Sequence, residues 1–62
     1  MTDEQVVLVY RQACLRLGAN EVAKIVGLNV ATIVRLSAGL PVQKATAILA
    51  ATQVKKLVEA QK

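Results

Sequence analysis

The side chains that could carry chemistry in this sequence are few and scattered. The chain of 62 residues has no histidine and one cysteine, Cys14, and its carboxylates are Asp3, Glu4, Glu21 and Glu59. General acid–base and nucleophilic catalysis need several titratable groups that converge in a pocket. Metal sites need clustered histidine, cysteine or carboxylate ligands. We therefore expect a protein that is not an enzyme, with no catalytic residue, no metal, no cofactor and no small-molecule ligand.

Positive charge is the remaining chemical feature. Eight lysines and arginines against four acids give a net charge of +4. Such an excess in a short chain favours a polyanionic partner. The alternative is that the charge only keeps an apolar chain in solution, since 55% of the residues are hydrophobic.

The length predicts one small domain, 1–62, with a marginal core. Chains of about 60 residues bury only about 60% of the surface that they expose when unfolded. One cysteine allows no internal disulfide, so we expect a partner subunit to cover the surplus apolar surface. No apolar run is longer than Val6–Tyr10, which is far below the roughly 18–20 residues of a membrane span. With acids rather than lysines near the start of the sequence, we expect no signal peptide, and a cytoplasmic protein without membrane contact.

The elements that position these side chains are predicted to be helices. Thr2 and Gln5 fit a capping box that opens a first helix at about Asp3–Leu17, and Gly18 supplies its C-terminal stop. The side chains at helical spacing on one face predict its buried side. They are Val6, Val9, Tyr10, Ala13, Cys14 and Leu17.

Asparagine and glycine mark the ends of the next two helices, because asparagine is a favoured N-cap and glycine a favoured stop. Helices are predicted over about 21–26 and 30–38, capped by Asn20 and Asn29 and closed by Gly27 and Gly39.

Pro41 suits the first turn of a fourth helix, which runs to about Glu59 and is either continuous or broken near Thr52. Val42, Ala45 and Leu49 are predicted to face the core. The sequence shows no strand pattern. It therefore predicts an all-α fold, a compact bundle of four to five helices.

The spacing of Ala23, Gly27, Ile33 and Leu36 resembles the helix-turn-helix of lambda-repressor-like and lac-repressor-like DNA-binding proteins. The residue types suit that motif physically. A small residue at Ala23 allows the third helix to cross closely, and Gly27 can take the left-handed conformation that the turn requires. Ile33 and Leu36 would point inward. The resemblance covers roughly 17–49, about half of the chain.

The resemblance implies that the third helix lies in the major groove of double-stranded DNA. The positions that face base edges correspond to Val30, Ala31, Val34 and Arg35. Arg35 can bridge guanine O6 and N7, whereas the apolar side chains can contact thymine methyl groups. Alternatively, Val30 and Val34 belong to a protein–protein surface.

Two residues depart from the family's pattern. Ala19 stands where a glutamine often binds the phosphate backbone, and Glu21 would repel phosphate unless it serves the positive end of the second helix. Backbone contacts are then expected from other polar residues near the motif. These are Asn20, Lys24, Asn29, Thr32 and Lys44.

A homodimer is expected because one helix-turn-helix covers only one half-site. We predict that the C-terminal helix supplies the interface through an alanine-rich stripe, with Leu8 and Leu15 of the first helix beside it. The stripe includes Ala47, Ala50, Ala51, Val54, Leu57 and Val58. The alternative is that the helix breaks near Thr52 and its tail covers the chain's own core.

Two classes of function remain open. The first is a homodimeric, sequence-specific transcription regulator, most simply a repressor, associated with the nucleoid when bound to DNA. Its size suits a phage, plasmid or other mobile genetic element. The second is a protein–protein adaptor or antitoxin-like module that uses the same helices without reading DNA. Basic residues at Arg35 and Lys44 favour the first.

Overall fold

Five α-helices joined by short turns make up residues 2–61, the part of the chain that the computed structural model describes. They are α1 (Asp3–Leu17), α2 (Ala19–Val26), α3 (Val30–Ala38), α4 (Lys44–Thr52) and α5 (Val54–Ala60). These residues contain no strand, and the predicted all-α fold is confirmed. No helix among them combines the length and the apolar character needed to cross a bilayer.

The first helix begins and ends where the sequence predicts. The backbone N–H of Gln5 donates to Thr2 Oγ1 over 3.2 Å, and the N–H of Thr2 donates to Gln5 Oε1 over 2.9 Å. This is the reciprocal pattern of a capping box. Gly18 ends the helix, and its N–H donates to the Cys14 carbonyl.

The core lies between α1, the α2–α3 pair and the two C-terminal helices. The predicted inner face of α1 is confirmed: Val6, Tyr10 and Ala13 are buried, and the other three side chains pack against them from the edge. The remaining buried side chains are Val22, Ala23, Val26, Ile33, Leu36, Ala50, Val54 and Leu57.

The second helix begins earlier than predicted. It starts at Ala19, so Asn20 lies inside its first turn and makes no capping hydrogen bond. The reason is Gly18, which has φ 89° and ψ 149°. That positive φ is easily adopted only by glycine. It lets the chain turn within one residue, and the Gly18 carbonyl already accepts from Val22 N.

The fourth helix begins later than predicted. Pro41 lies in the extended connection that precedes it, and Gln43, with ψ 148°, occupies the N-cap position of α4. Val42 packs against the core from this connection. The helix therefore begins only after the position at which Val42 contacts the core, and Lys44 is the first residue of α4.

The predicted alternative of a broken C-terminal helix is what the structure shows. α4 ends at Thr52 and α5 starts at Val54. The hydroxyl of Tyr10 donates to the Ala50 carbonyl over 2.7 Å in the interior. The break leaves that carbonyl without a helical partner, and the Tyr10 hydroxyl satisfies it, as buried carbonyls require.

Because the chain bends at Gln53, α5 packs back on α1 and α2. Val54 and Leu57 are 5% and 0% exposed. Their predicted place in a dimer interface is therefore wrong, since they complete the core of the single chain. The predicted core face of α4 is also wrong: Ala45 and Leu49 are exposed, whereas Ala50 is buried.

Candidate nucleic-acid interface

The turn between α2 and α3 has the geometry that the sequence predicts. Gly27 adopts φ 75° and ψ 27°, in the left-handed region. The N–H of Leu28 donates to the Ala23 carbonyl over 3.1 Å, which closes the end of α2. Ala23 and Ile33 are both buried. α2 and α3 are thus held together by a short turn and a shared core.

Asn29 caps α3 as predicted. Its Oδ1 accepts from the backbone N–H of Thr32 over 2.8 Å and from the Thr32 hydroxyl over 2.9 Å. The Asn29 amide nitrogen has no hydrogen-bond partner within residues 2–61. The N–H groups of Val30 and Ala31 belong to the first turn, where no intrahelical carbonyl is available. This end of α3 therefore offers donors to an anion.

The two sides of α3 differ in exposure. Ile33 and Leu36 face the core. Val30 and Val34 are 39% and 51% exposed, and Ala31 and Arg35 are exposed as well. All four residues predicted to contact bases therefore lie on the solvent side of one helix.

Shallow depressions flank α3 on both sides of its N-terminal half. One lies against α2 and is lined by Asn20, Ala23, Lys24, Leu28, Asn29 and Val30. The other lies against the start of α4 and is lined by Asn29, Thr32, Arg35, Val42, Gln43 and Thr46. Asn29 belongs to both. The structure thus brings four of the five predicted backbone-contacting residues to the edges of the exposed side of α3.

Lys44, the fifth of these residues, is exposed in the first turn of α4 and lines neither depression. Gln43 and Thr46 were not assigned a contact from the sequence, yet they lie beside Arg35 and Thr32. Their polar side chains next to Lys44 are the signal that could have identified them, once α4 is known to start at Lys44.

The C-terminal half of α3 is attached to α1. Arg11 Nε donates to the Ser37 carbonyl over 3.0 Å, and the Ser37 hydroxyl donates to the Val34 carbonyl over 2.9 Å. Cys14 is half-buried here; burial raises the pKa of its thiol, and a hydrogen bond with Ser37 lowers it in part. These contacts fix α3 on the rest of the domain.

The remaining residues of the predicted dimer interface separate into two surfaces. Ala47 and Ala51 line a groove against the N-terminal half of α1, and Leu8 lines the depression that adjoins it. Val58 lies elsewhere, beside Arg16 between α1 and α5. Leu15 is 82% exposed and lines none of these depressions.

The acidic residues lie mostly away from the exposed side of α3. Asp3 and Glu4 line the depression at the N-terminal half of α1, and Glu59 lies in the last turn of α5. Only Glu21, in the first turn of α2, belongs to the α2–α3 pair. Comparison with models of protein families, with curated proteins and with solved structures found no match.

Proposed function

We propose that the protein is a sequence-specific, double-stranded DNA-binding regulator that inserts α3 into the major groove. The observation that carries this proposal is the exposed side of α3. Its only charged residue is one arginine, and polar and basic side chains flank it. The major groove, about 12 Å wide, admits one α-helix. The buried side of α3 packs against α1 and α2. The helix can therefore enter a groove without a change in the fold.

Base reading is assigned to Arg35 and to the apolar residues before it. The Arg35 guanidinium can donate two hydrogen bonds to guanine O6 and N7, and Val30, Ala31 and Val34 can contact thymine methyl groups. A half-site that combines thymines with a guanine fits this set. Arg35 is exposed, and within residues 2–61 no hydrogen bond engages its guanidinium.

Backbone contacts are assigned to the flanks of α3. The amide nitrogen of Asn29 and the N–H groups at the start of α3 can donate to one phosphate, which the positive end of the helix favours. Lys24 and Asn20 extend this contact along α2. On the other side, Gln43, Thr46 and Lys44 can meet the phosphates beyond Arg35.

Repression is the simplest regulatory outcome, because a small dimer bound over a promoter excludes polymerase. A homodimer supplies two copies of α3 for two half-sites one helical turn apart, about 34 Å. The protein would then act in the cytoplasm, on the nucleoid, as a regulator of the kind that mobile genetic elements use. We expect no catalytic activity.

The test is selection from a pool of duplexes with a randomised centre. Wild-type protein should enrich a motif that contains guanine and thymine, repeated with two-fold symmetry. Ala31→Glu is the matched variant, because it adds a carboxylate to the exposed side of α3 and leaves the core intact. It should retain the helical circular dichroism and lose the enrichment. Equal enrichment by both proteins would contradict the proposed role of α3.

A protein–protein adaptor or antitoxin-like module is the second candidate. The observation in its favour is the exposure of Val30 and Val34 on one helix, since apolar helix surfaces also bind proteins. The same selection separates the two functions. An adaptor would retain no duplex above background even at low salt, whereas a regulator retains DNA and weakens as salt is added.

A further inference from the structure

A second surface of the domain is an apolar groove that contains no residue of the N-terminal half of α3. It lies between the N-terminal half of α1, the α3–α4 connection and α4. Leu8 and Leu40 stand on this side and are 50% and 54% exposed. The apolar residues that line the groove are Val6, Val7, Leu36, Leu40, Pro41, Val42, Ala47 and Ala51. Exposed apolar surface of this kind is typical of an interaction site.

Charges of both signs border the groove on one face of α1. Glu4, Val7, Leu8 and Arg11 line a single depression there. Glu4 and Arg11 are seven residues apart, which is about two helical turns or roughly 10 Å along the axis. The apolar pair therefore lies between an acidic and a basic side chain. A second copy of this face, turned by 180°, presents the opposite charge at each end.

We propose that the occupant of this groove is a second copy of the chain, with the two α1 helices antiparallel and centred between Val7 and Leu8. In this register Glu4 of one copy faces Arg11 of the other, twice across the two-fold axis. Leu8 faces Val7 of the second copy, and Leu40 and the α4 alanines extend the contact on either side. Such a self-complementary patch is what a two-fold interface requires.

A stable dimer would need contacts well beyond the groove itself. A standard interface buries about 800 Å² on each partner, roughly a fifth of the 4207 Å² accessible surface of the chain. A domain of this length also gains from association, because its own core is small.

Charge argues against nucleic acid as the occupant. Asp3 and Glu4 border the groove and would repel phosphate, whereas Glu4 faces Arg11 of the second copy in the proposed homodimer. None of the residues assigned to DNA bases or phosphates lines either depression. This inference deepens the proposed function, because the dimer leaves both copies of α3 uncovered for two half-sites.

The test is a charge exchange measured by sedimentation equilibrium without DNA. Glu4→Arg and Arg11→Glu should each weaken dimerisation about tenfold or more, because each places like charges in contact. The double variant Glu4→Arg with Arg11→Glu should recover the wild-type dissociation constant within a few-fold. Leu15→Glu is the control and should leave it unchanged, since Leu15 lies outside the interface in this register.

Three other results would each contradict the proposed interface. A monomeric wild-type protein, single variants that dimerise normally, or a double variant that does not recover would overturn the proposed interface. Circular dichroism shows whether Arg11→Glu still folds without its bond to Ser37, and recovery in the double variant excludes misfolding as the cause of its effect. Because DNA is absent, the outcome is independent of the proposed function, whose failure appears only in the selection experiment.

Discussion

Arg35 is the strongest hydrogen-bond donor on the exposed side of α3, and its environment leaves it available to a partner. The three neighbours assigned to base contact, Val30, Ala31 and Val34, can contribute only apolar contact. Discrimination between guanine and the other bases should therefore depend on Arg35, whereas the apolar residues discriminate thymine through its methyl group.

Arg35→Ala should reduce affinity for the selected duplex about 5- to 150-fold, the loss of one bidentate base contact of about 1–3 kcal/mol. Affinity for a scrambled duplex should fall much less, since only one positive charge is removed. Arg16→Ala is the matched control, because Arg16 is an exposed arginine on α1 away from α3. Fluorescence anisotropy measures the affinity of each variant for each duplex. Equal effects of the two substitutions would show that Arg35 contributes charge alone.

Tyr10 should make the domain less stable in alkali. Burial raises the pKa of Tyr10 from 10.0 to about 12. The unfolded chain loses the tyrosine proton near pH 10, and the folded chain keeps it. The free energy of unfolding is therefore unaffected below pH 10 and falls between pH 10 and about 12, by at most about 3 kcal/mol for a shift of this size.

Urea unfolding across that pH range measures the effect, and Tyr10→Phe should lack it. The variant should also be less stable at neutral pH by about 1–3 kcal/mol, because the buried Ala50 carbonyl loses its donor. Tyr10 is the only aromatic residue, so the absorbance of its phenolate reports the titration directly. A midpoint near pH 10 in the folded protein would show that the hydroxyl is not buried.

At the scale of the element, the two asparagines that precede helices differ in role. Asn29 caps α3 through two hydrogen bonds, whereas Asn20 lies inside α2 and caps nothing. Asn29→Ala should lower the free energy of unfolding by about 1 kcal/mol, and Asn20→Ala should change it by less than about 0.5 kcal/mol. Chemical denaturation of the pair checks this. A larger loss for Asn20→Ala would place the start of α2 at Glu21 after all.

The C-terminal helix allows an equally direct comparison. Val54→Glu places a carboxylate in the apolar interior, at a cost that a small domain cannot offset. We expect loss of the helical circular dichroism. Val58→Glu, on the same helix but 43% exposed, should remain folded. A folded, monomeric Val54→Glu protein would instead support a dimer interface on α5.

The local sequence predicts some of this fold and not the rest, for physical reasons. The Thr2–Gln5 capping box, the Asn29 cap and the Gly27 turn depend on residues within a few positions of each other, and all three were predictable. The burial of Val54 and Leu57 depends on the break at Gln53 and on the Tyr10–Ala50 hydrogen bond, which joins positions 40 residues apart. No local pattern encodes that contact.

In the candidate site, too, some residues could be predicted from the local sequence and others could not. The exposed residues of α3 were predictable, because the spacing of the buried Ile33 and Leu36 determines which residues face outward. Gln43 and Thr46 were not, because their position beside Arg35 depends on where α4 begins. Pro41 favoured an earlier start, but the docking of Val42 keeps the chain extended to Gln43.

At the scale of the whole molecule, two surfaces of the domain have different chemistry. The α3 side combines polar donors with Lys24, Arg35 and Lys44, whereas the α1 groove is apolar and bordered by charges of both signs. Every lysine and arginine in residues 2–61 is exposed. This separation suits a protein that binds DNA on one side and its own copy on another.

The most direct test of the account is an anisotropy titration of the wild-type protein into the randomised duplex pool before and after selection, at two salt concentrations. The account predicts that selection raises affinity about 10³-fold or more and that binding to either pool weakens steeply with salt. The same affinity before and after selection, or no binding at low salt, would contradict sequence-specific recognition by α3.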